Sequence, residues 1–328
     1  MSTASRGFIG QEQAWREWIA AIGSQRMHHA WLLSGAVGLG KRAFARAAAA
    51  ELVRAPGGSL PDPAKHPDIL ILECLPKDEK EAEKKAEGKP FEARRNITVD
   101  QIRSLQHRLT TRPTLGERRA IIVDPADDME RSAVNALLKS LEEPPRGTYF
   151  LLVAHQPGRL LPTIRSRCRK LRFAALTPDE LDALLRRDAP EADSETRAAA
   201  IAAAHGSPGI ALDFVAQDLS AIHRLMRQLL LEGDDRFVLR GALADEIGVR
   251  PVRERVLAVL DLARAELAGL LPGSSRERQQ RIIEAHGALV RLSVQAPTYN
   301  FDPGLLIMEI GGLLASAAMP REAQVQRN

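Results

Sequence analysis

Cysteine is nearly absent from this 328-residue chain, with only Cys74 and Cys168 present. Two thiols cannot build a disulfide framework or a four-thiolate zinc site, and a reducing cytoplasm is the expected compartment. Aromatic residues make up 4%, too few for base-stacking platforms to be the main business of the chain. No run reaches the ~18 uninterrupted apolar residues of a membrane span. The opening Met1-Ser-Thr-Ala-Ser-Arg-Gly7 lacks the apolar core of a secretory signal, so no membrane partner is expected. A strong excess of one charge is missing too. With 46 Lys and Arg against 42 Asp and Glu, the net charge of +4 permits a nucleic acid partner without demanding one.

What is present is alternation. Continuous apolar runs at Ala30–Ser34, Ile69–Leu72, Ala120–Val123 and Tyr149–Ala154 predict strands of a parallel sheet covered on both faces. Lys170–Phe173 alternates instead, which predicts an edge. Helical patterns at Arg42–Val53 and Ser132–Glu142 lie between them, and strand and helix in turn imply a doubly wound α/β domain. Residues 54–67 are rich in Pro and Gly and read as a loop. Residues 77–95 carry seven positive and six negative side chains, the pattern of a solvated helix or a disordered insertion.

After Phe173 the β signal stops. Thr177-Pro-Asp-Glu180 predicts a helix start, with Thr177 as cap and acids favouring the dipole. Helices continue to about Val215, broken at Gly206-Ser-Pro-Gly209, and resume at Asp218 with loops at 269–275 and near 297–303. Val256, Leu260, Ala263, Leu267 and Leu270 form one apolar stripe, which either builds the domain's own core or meets a partner helix. The expected domains are 1–174, α/β; 175–217, small and helical; and 218–328, a helical bundle.

Chemistry concentrates at two strand ends. Gly35-Ala-Val-Gly38-Leu-Gly40-Lys41 follows one predicted strand and opens a predicted helix, the context of a phosphate-binding P-loop. Glycines let the backbone wrap phosphates, helix amides point at them, and Lys41 supplies charge. A working loop continues with a Ser or Thr hydroxyl for Mg²⁺, but this chain has Arg42, a donor that cannot coordinate a cation. Ala120–Val123 delivers Asp124 as the second acid, and the next residue is Pro125, where a water-activating Glu belongs. Asp127 and Asp128 lie near and read as solvated loop acids or caps. The loop is therefore either a degenerate ATP or ADP site or a glycine turn without ligand. No catalytic residue in cis and no metal ligand set is expected.

Asn135-Ala-Leu-Leu-Lys-Ser-Leu-Glu-Glu-Pro-Pro145 and Ser166-Arg-Cys168 resemble motifs of clamp-loader subunits of the bacterial DNA polymerase III. These are AAA+ proteins, and the likeness runs over most of residues 8–215. It implies a P-loop α/β domain, a small helical lid domain and a C-terminal all-α collar. Motor subunits of that family carry Ser or Thr after the P-loop Lys, Glu after the strand-end Asp, a polar sensor after the fourth strand and Arg in the lid turn. This chain has Arg42, Pro125, Ala154-His155 and Gly206-Ser-Pro-Gly209. All four are altered.

The resemblance thus implies a non-motor subunit of a hetero-oligomer that loads a sliding clamp onto primed DNA during replication. The alternative is an active AAA+ ATPase, the motor of a divergent loader. Partners implied are the motor and delta subunits, met through the AAA+ and collar domains, together with the clamp and primed DNA. Arg167 of Ser-Arg-Cys is implied to reach the nucleotide of a neighbour, where a trans arginine can be worth ~10³–10⁵ in rate. The alternative is a structural arginine paired with a local acid. His29-Ala30, His66-Pro-Asp68 and Ile97–Arg103 also look like this family. Relatives carry a four-cysteine zinc module before the His-Pro-Asp segment, whereas residues 54–65 contain no cysteine, so no zinc is expected.

Overall fold

The computed structural model describes residues 8–24, 26–89, 91–249, 251–296 and 301–318. The opening heptapeptide, four residues of the loop expected near 297–303 and the last ten residues of the expected collar lie outside the described residues. Two compact units follow one another along the chain, Met1–Ala175 and Leu176–Asn328.

The first unit is built on a parallel five-stranded sheet, β1 (Ala30–Ser34), β2 (Ile69–Leu72), β3 (Arg119–Val123), β4 (Thr148–Ala154) and β5 (Arg169–Arg172), in the order β2-β3-β4-β1-β5. All four pairings are parallel, with Leu32 opposite Leu152 and Ile121 opposite Phe150. The alternating strand lies at an edge as expected, where only Leu171 of β5 is buried. Period-two alternation sends side chains to both faces. Leu32, Ile121, Phe150 and Leu152 pack with Ile102 and Leu105 of α4 (Val99–Leu109) and Leu137 of α5 (Arg131–Glu142). Trp31, Leu33, Ile122 and Val153 pack with Trp15 and Trp18 of α1 (Glu12–Ile22) and Phe44 of α2 (Lys41–Val53). Burial on both sides is why the strands read as unbroken apolar runs.

The charge run contains an ordered helix, α3 (Glu79–Ala86). Asp78 caps it by accepting from the Glu81 amide at 3.0 Å. Lys84 pairs with Glu81 at 2.7 Å, and the segment closes through an antiparallel bridge between Pro76 and Ala93. The sequence left helix and disorder open, and opposite charges one turn apart support the helix. The unit ends with α6 (Pro162–Ser166) before β5.

The described residues of the second unit form helices and no strand. Its helices are α7 (Pro178–Asp188), α8 (Ser194–Ala204), α9 (Pro208–Ala216), α10 (Ser220–Glu232), α11 (Val238–Ile247), α12 (Arg253–Leu270), α13 (Arg276–Gln295) and α14 (Pro303–Ser316). Thr177 caps α7 as expected, and Glu180 completes a capping box with it. Ser207 caps α9, with Pro208 in its first turn. Leu260, Ala263 and Leu267 of the α12 stripe are fully buried within the unit. One boundary differs: α12 runs through Gly269 to Leu270, and only a single 3₁₀ turn, Leu271–Gly273, separates it from α13. A Cβ at Gly269 would lie 2.2 Å from the His205 ring. Packing, rather than chain breaking, selects glycine.

Candidate nucleotide site and exposed arginine

In the strand order β3-β4-β1 the carboxyl ends of three neighbouring strands share one edge, where open α/β sheets place ligands. The loop after β1 holds Gly35, Gly38 and Gly40, the end of β3 delivers Asp124, and the end of β4 delivers His155. Gly35 is required by a close approach, since a Cβ would sit 2.5 Å from the Phe173 carbonyl oxygen. Gly40 caps α2 in the left-handed region at φ 79°, a conformation that favours glycine. The Phe44 amide donates to the Gly40 carbonyl at 2.9 Å, opening α2 directly behind the loop.

Lys41 is 2% exposed. Its Nζ donates to the Gly35 carbonyl at 2.7 Å and to that of Ala36, so the ammonium is folded into the loop. Burial pushes its pKa down to about 8, with Asp127 and Asp124 opposing the fall. His155 is also shifted down, first by burial and then by the positive charge of Lys41. It lines the site as a neutral ring.

The altered position after the loop lysine meets the strand-end acid. Arg42 Nε donates to Asp124 Oδ2 at 2.5 Å, the arginine side chain being 59% exposed and the carboxylate 5%. Asp124 is thus held by a guanidinium at the place where a hydroxyl, a water shell and Mg²⁺ would meet it. This donor set does not fit a divalent cation. Asp127 is turned away as well. It accepts the His155 amide at 3.0 Å and the Gln156 amide at 2.6 Å. The reading of Asp127 as a solvated acid is corrected: it fastens the loop after β4. Asp128 is half-buried beside it, and burial raises its pKa. Gly38, Gly40, Lys41, Arg42, Ala43, Arg46 and His155 line an open pocket of about 490 Å³. Arg46 escaped the sequence reading, although its place four residues after Arg42 puts both on one helix face.

Arg167 lies elsewhere in this unit, between α6 and β5. Its Nη2 pairs with Glu142 Oε1 at 2.7 Å, and its Nη1 donates to the Thr163 carbonyl at 3.0 Å. The structure therefore places a local acid on Arg167, and that acid belongs to the Leu-Glu-Glu-Pro-Pro motif. Both ends are open, at 36% and 49% exposure. Its neighbours differ: Arg169 stacks over the Trp31 ring at 4.9 Å, while Lys170 is exposed. Cys168 is buried and its thiol is pushed up to about 12, and Cys74 is pushed to about 11, in both cases chiefly by burial. Neither behaves as a nucleophile at neutral pH.

The remaining motif residues are structural. Asp68 is fully buried and accepts the amides of Thr114 at 2.6 Å and Leu115 at 2.8 Å. His29 Nε2 lies 2.8 Å from the Leu141 carbonyl, joining the start of β1 to the end of α5. Among the described residues no group of three or more His, Cys, Asp or Glu could hold a metal ion, and no helix is long and apolar enough to cross a membrane.

A parallel sheet in this order, with a glycine loop after β1 and an acid after β3, defines a P-loop protein of the AAA+ class. A 92% span of the chain superposes on 98% of a DNA polymerase III gamma subunit-related protein from Thermotoga maritima, at a TM-score of 0.52 and 20% identity. Residues 10–177 match the family model described as DNA polymerase III, delta subunit, and the chain belongs to this family. It is 34% identical over 258 residues to the DNA polymerase III subunit delta' of Pseudomonas aeruginosa, covering 74% of this chain and 69% of that one. The Escherichia coli subunit delta' is 30% identical over 205 residues, 59% of this chain and 56% of its own.

Proposed function

We propose that this chain is the delta' component of a bacterial DNA polymerase III clamp loader, a cytoplasmic non-motor subunit that helps place the sliding clamp on primed DNA. It joins the motor and delta subunits in a ring through its α/β and C-terminal helical parts, and it works without structural zinc. Its own site does no hydrolysis. Its contribution to chemistry is Arg167, presented to the nucleotide of a neighbouring motor subunit. The observation that carries this reading is a division of labour between two arginines. Arg42 is engaged with the buried Asp124, which speaks against the active-ATPase alternative, whereas the acid that pairs with Arg167 is the exposed Glu142. A guanidinium that is permanently charged and able to grip phosphate oxygens in pairs suits a trans role.

The test is a reconstituted loader with clamp and primed DNA. Arg167→Ala is expected to assemble normally and to lower stimulated ATP turnover in part, because one motor site loses its transition-state cation. Lys170→Ala, three residues away and exposed, removes equal charge and should leave turnover unchanged. Equal loss from both variants would replace a positioned arginine with a general basic surface. The isolated chain should release no phosphate above background, and turnover of ~1 s⁻¹, an ordinary enzyme rate, would restore the motor reading.

A further inference from the structure

The Arg42–Asp124 pair has a geometry of its own. Among the described residues the guanidinium is engaged through Nε alone, by one carboxylate oxygen. An arginine has five donor hydrogens in a planar fork, so the four on its two Nη atoms are left for another acceptor. The side chain is 59% exposed toward the pocket, while its carboxylate partner is 5% exposed. A buried acid thus anchors one side of the group and the open pocket faces the other. In a working site of this class a divalent cation bridges that acid to the terminal phosphates. Here a fixed organic cation bridges the acid to the same pocket.

Charge at the pocket agrees. Lys41, Arg42 and Arg46 line it together with the ring of His155, and no acid is among the lining residues. Such a wall suits a bare polyphosphate better than one whose charge a metal has already covered. We propose that Arg42 takes the place and the charge of the divalent cation, which makes the loop a metal-free site for a nucleoside polyphosphate. The proposal is separate from the trans role of Arg167, which the ring assay tests on its own.

The experiment titrates the full chain with ADP and with ATP by calorimetry, once in EDTA and once in excess Mg²⁺. Mn²⁺ uptake in the presence of ADP is followed in parallel by electron paramagnetic resonance. The wild-type chain should bind at least as tightly in EDTA as in Mg²⁺, because excess Mg²⁺ withdraws bare nucleotide into its metal complex, and should take up no Mn²⁺ at the site. Arg42→Ser should regain a hydroxyl beside a freed Asp124. Its affinity should then rise at least about tenfold on adding Mg²⁺, the scale on which one supporting partner changes metal affinity. Arg42→Ser/Asp124→Asn should lose that gain. Three results would overturn the proposal: absence of nucleotide binding by the wild-type chain, tenfold tightening of the wild type by Mg²⁺, or Arg42→Ser binding that ignores the metal. The wild-type comparison stands even if a variant fails to fold, which a melting curve would reveal.

Discussion

Two arginines of the first unit are each paired with one carboxylate, and they differ in where the acid sits. Asp124 is closed in at the end of a central strand, so the partner that leaves would strand a charge out of water. Glu142 ends a surface helix, so either partner can leave and be hydrated. The bond lengths are alike, 2.5 Å and 2.7 Å. Exposed pairs are worth little because solvent replaces them, whereas breaking a pair with one buried member leaves a charge uncompensated. The comparison teaches that burial of the acid, rather than distance, decides which arginine is fixed and which is free to serve another molecule.

A second buried carboxylate sharpens this rule and gives the largest expected effect. Glu266 of α12 is 6% exposed and lies 2.9 Å from His223 Nε2 and 3.5 Å from His205 Nε2. Burial alone would raise its pKa, but the hydrogen bonds from the two histidines outweigh it and hold the carboxyl at about 2. A folded-state value below the ordinary one means stability that is present above about pH 4.5 and lost as pH falls toward 2. The amount is about 3 kcal/mol. Denaturant unfolding of wild type and Glu266→Gln from pH 6 down to pH 3 should show the wild-type advantage shrinking with acid. An advantage independent of pH would remove the carboxylate from the account.

Arg42→Ala comes next. It leaves Asp124 buried with its main partner gone, and a loss of about 1–3 kcal/mol is expected by chemical denaturation at pH 7. Glu142→Gln is the smallest change in stability, below about 1 kcal/mol, because its loss only frees Arg167 into water. An Arg42 effect no larger than the Glu142 effect would break the comparison.

Much of this architecture was legible in the residues. The five strands appear where apolar runs place them, because burial on both sheet faces writes itself into unbroken sequence. Lys170–Phe173 alternates because an edge strand has one covered side. The phosphate loop and the cap at Thr177 are local, and local chemistry needs no knowledge of distant residues. What sequence could not supply is partnership across the fold. Arg42 and Asp124 are brought together by the β1–β4–β3 order, which no spacing encodes. Glu142 was in view as part of a motif, yet its place opposite Arg167 depends on where α5 ends. Asp127 reads as a solvated acid or a cap because the amides it accepts from, those of His155 and Gln156, belong to another strand's end. Gly269 misled in the opposite direction, since a glycine chosen to admit a ring looks the same as one chosen to stop a helix.

That glycine has a mechanical meaning. The His205 ring, set at the end of α8 in the left-handed region at φ 46°, lies in the notch that the missing side chain leaves on α12. Glu266, one turn earlier on α12, reaches the same ring. Shape and charge therefore act together as a key in a slot. Both features oppose slippage between α8 and the 18-residue rod of α12 at this point. In an assembly of several chains, a rod coupled without backlash would report a turn made at one end of its unit to whatever grips the other.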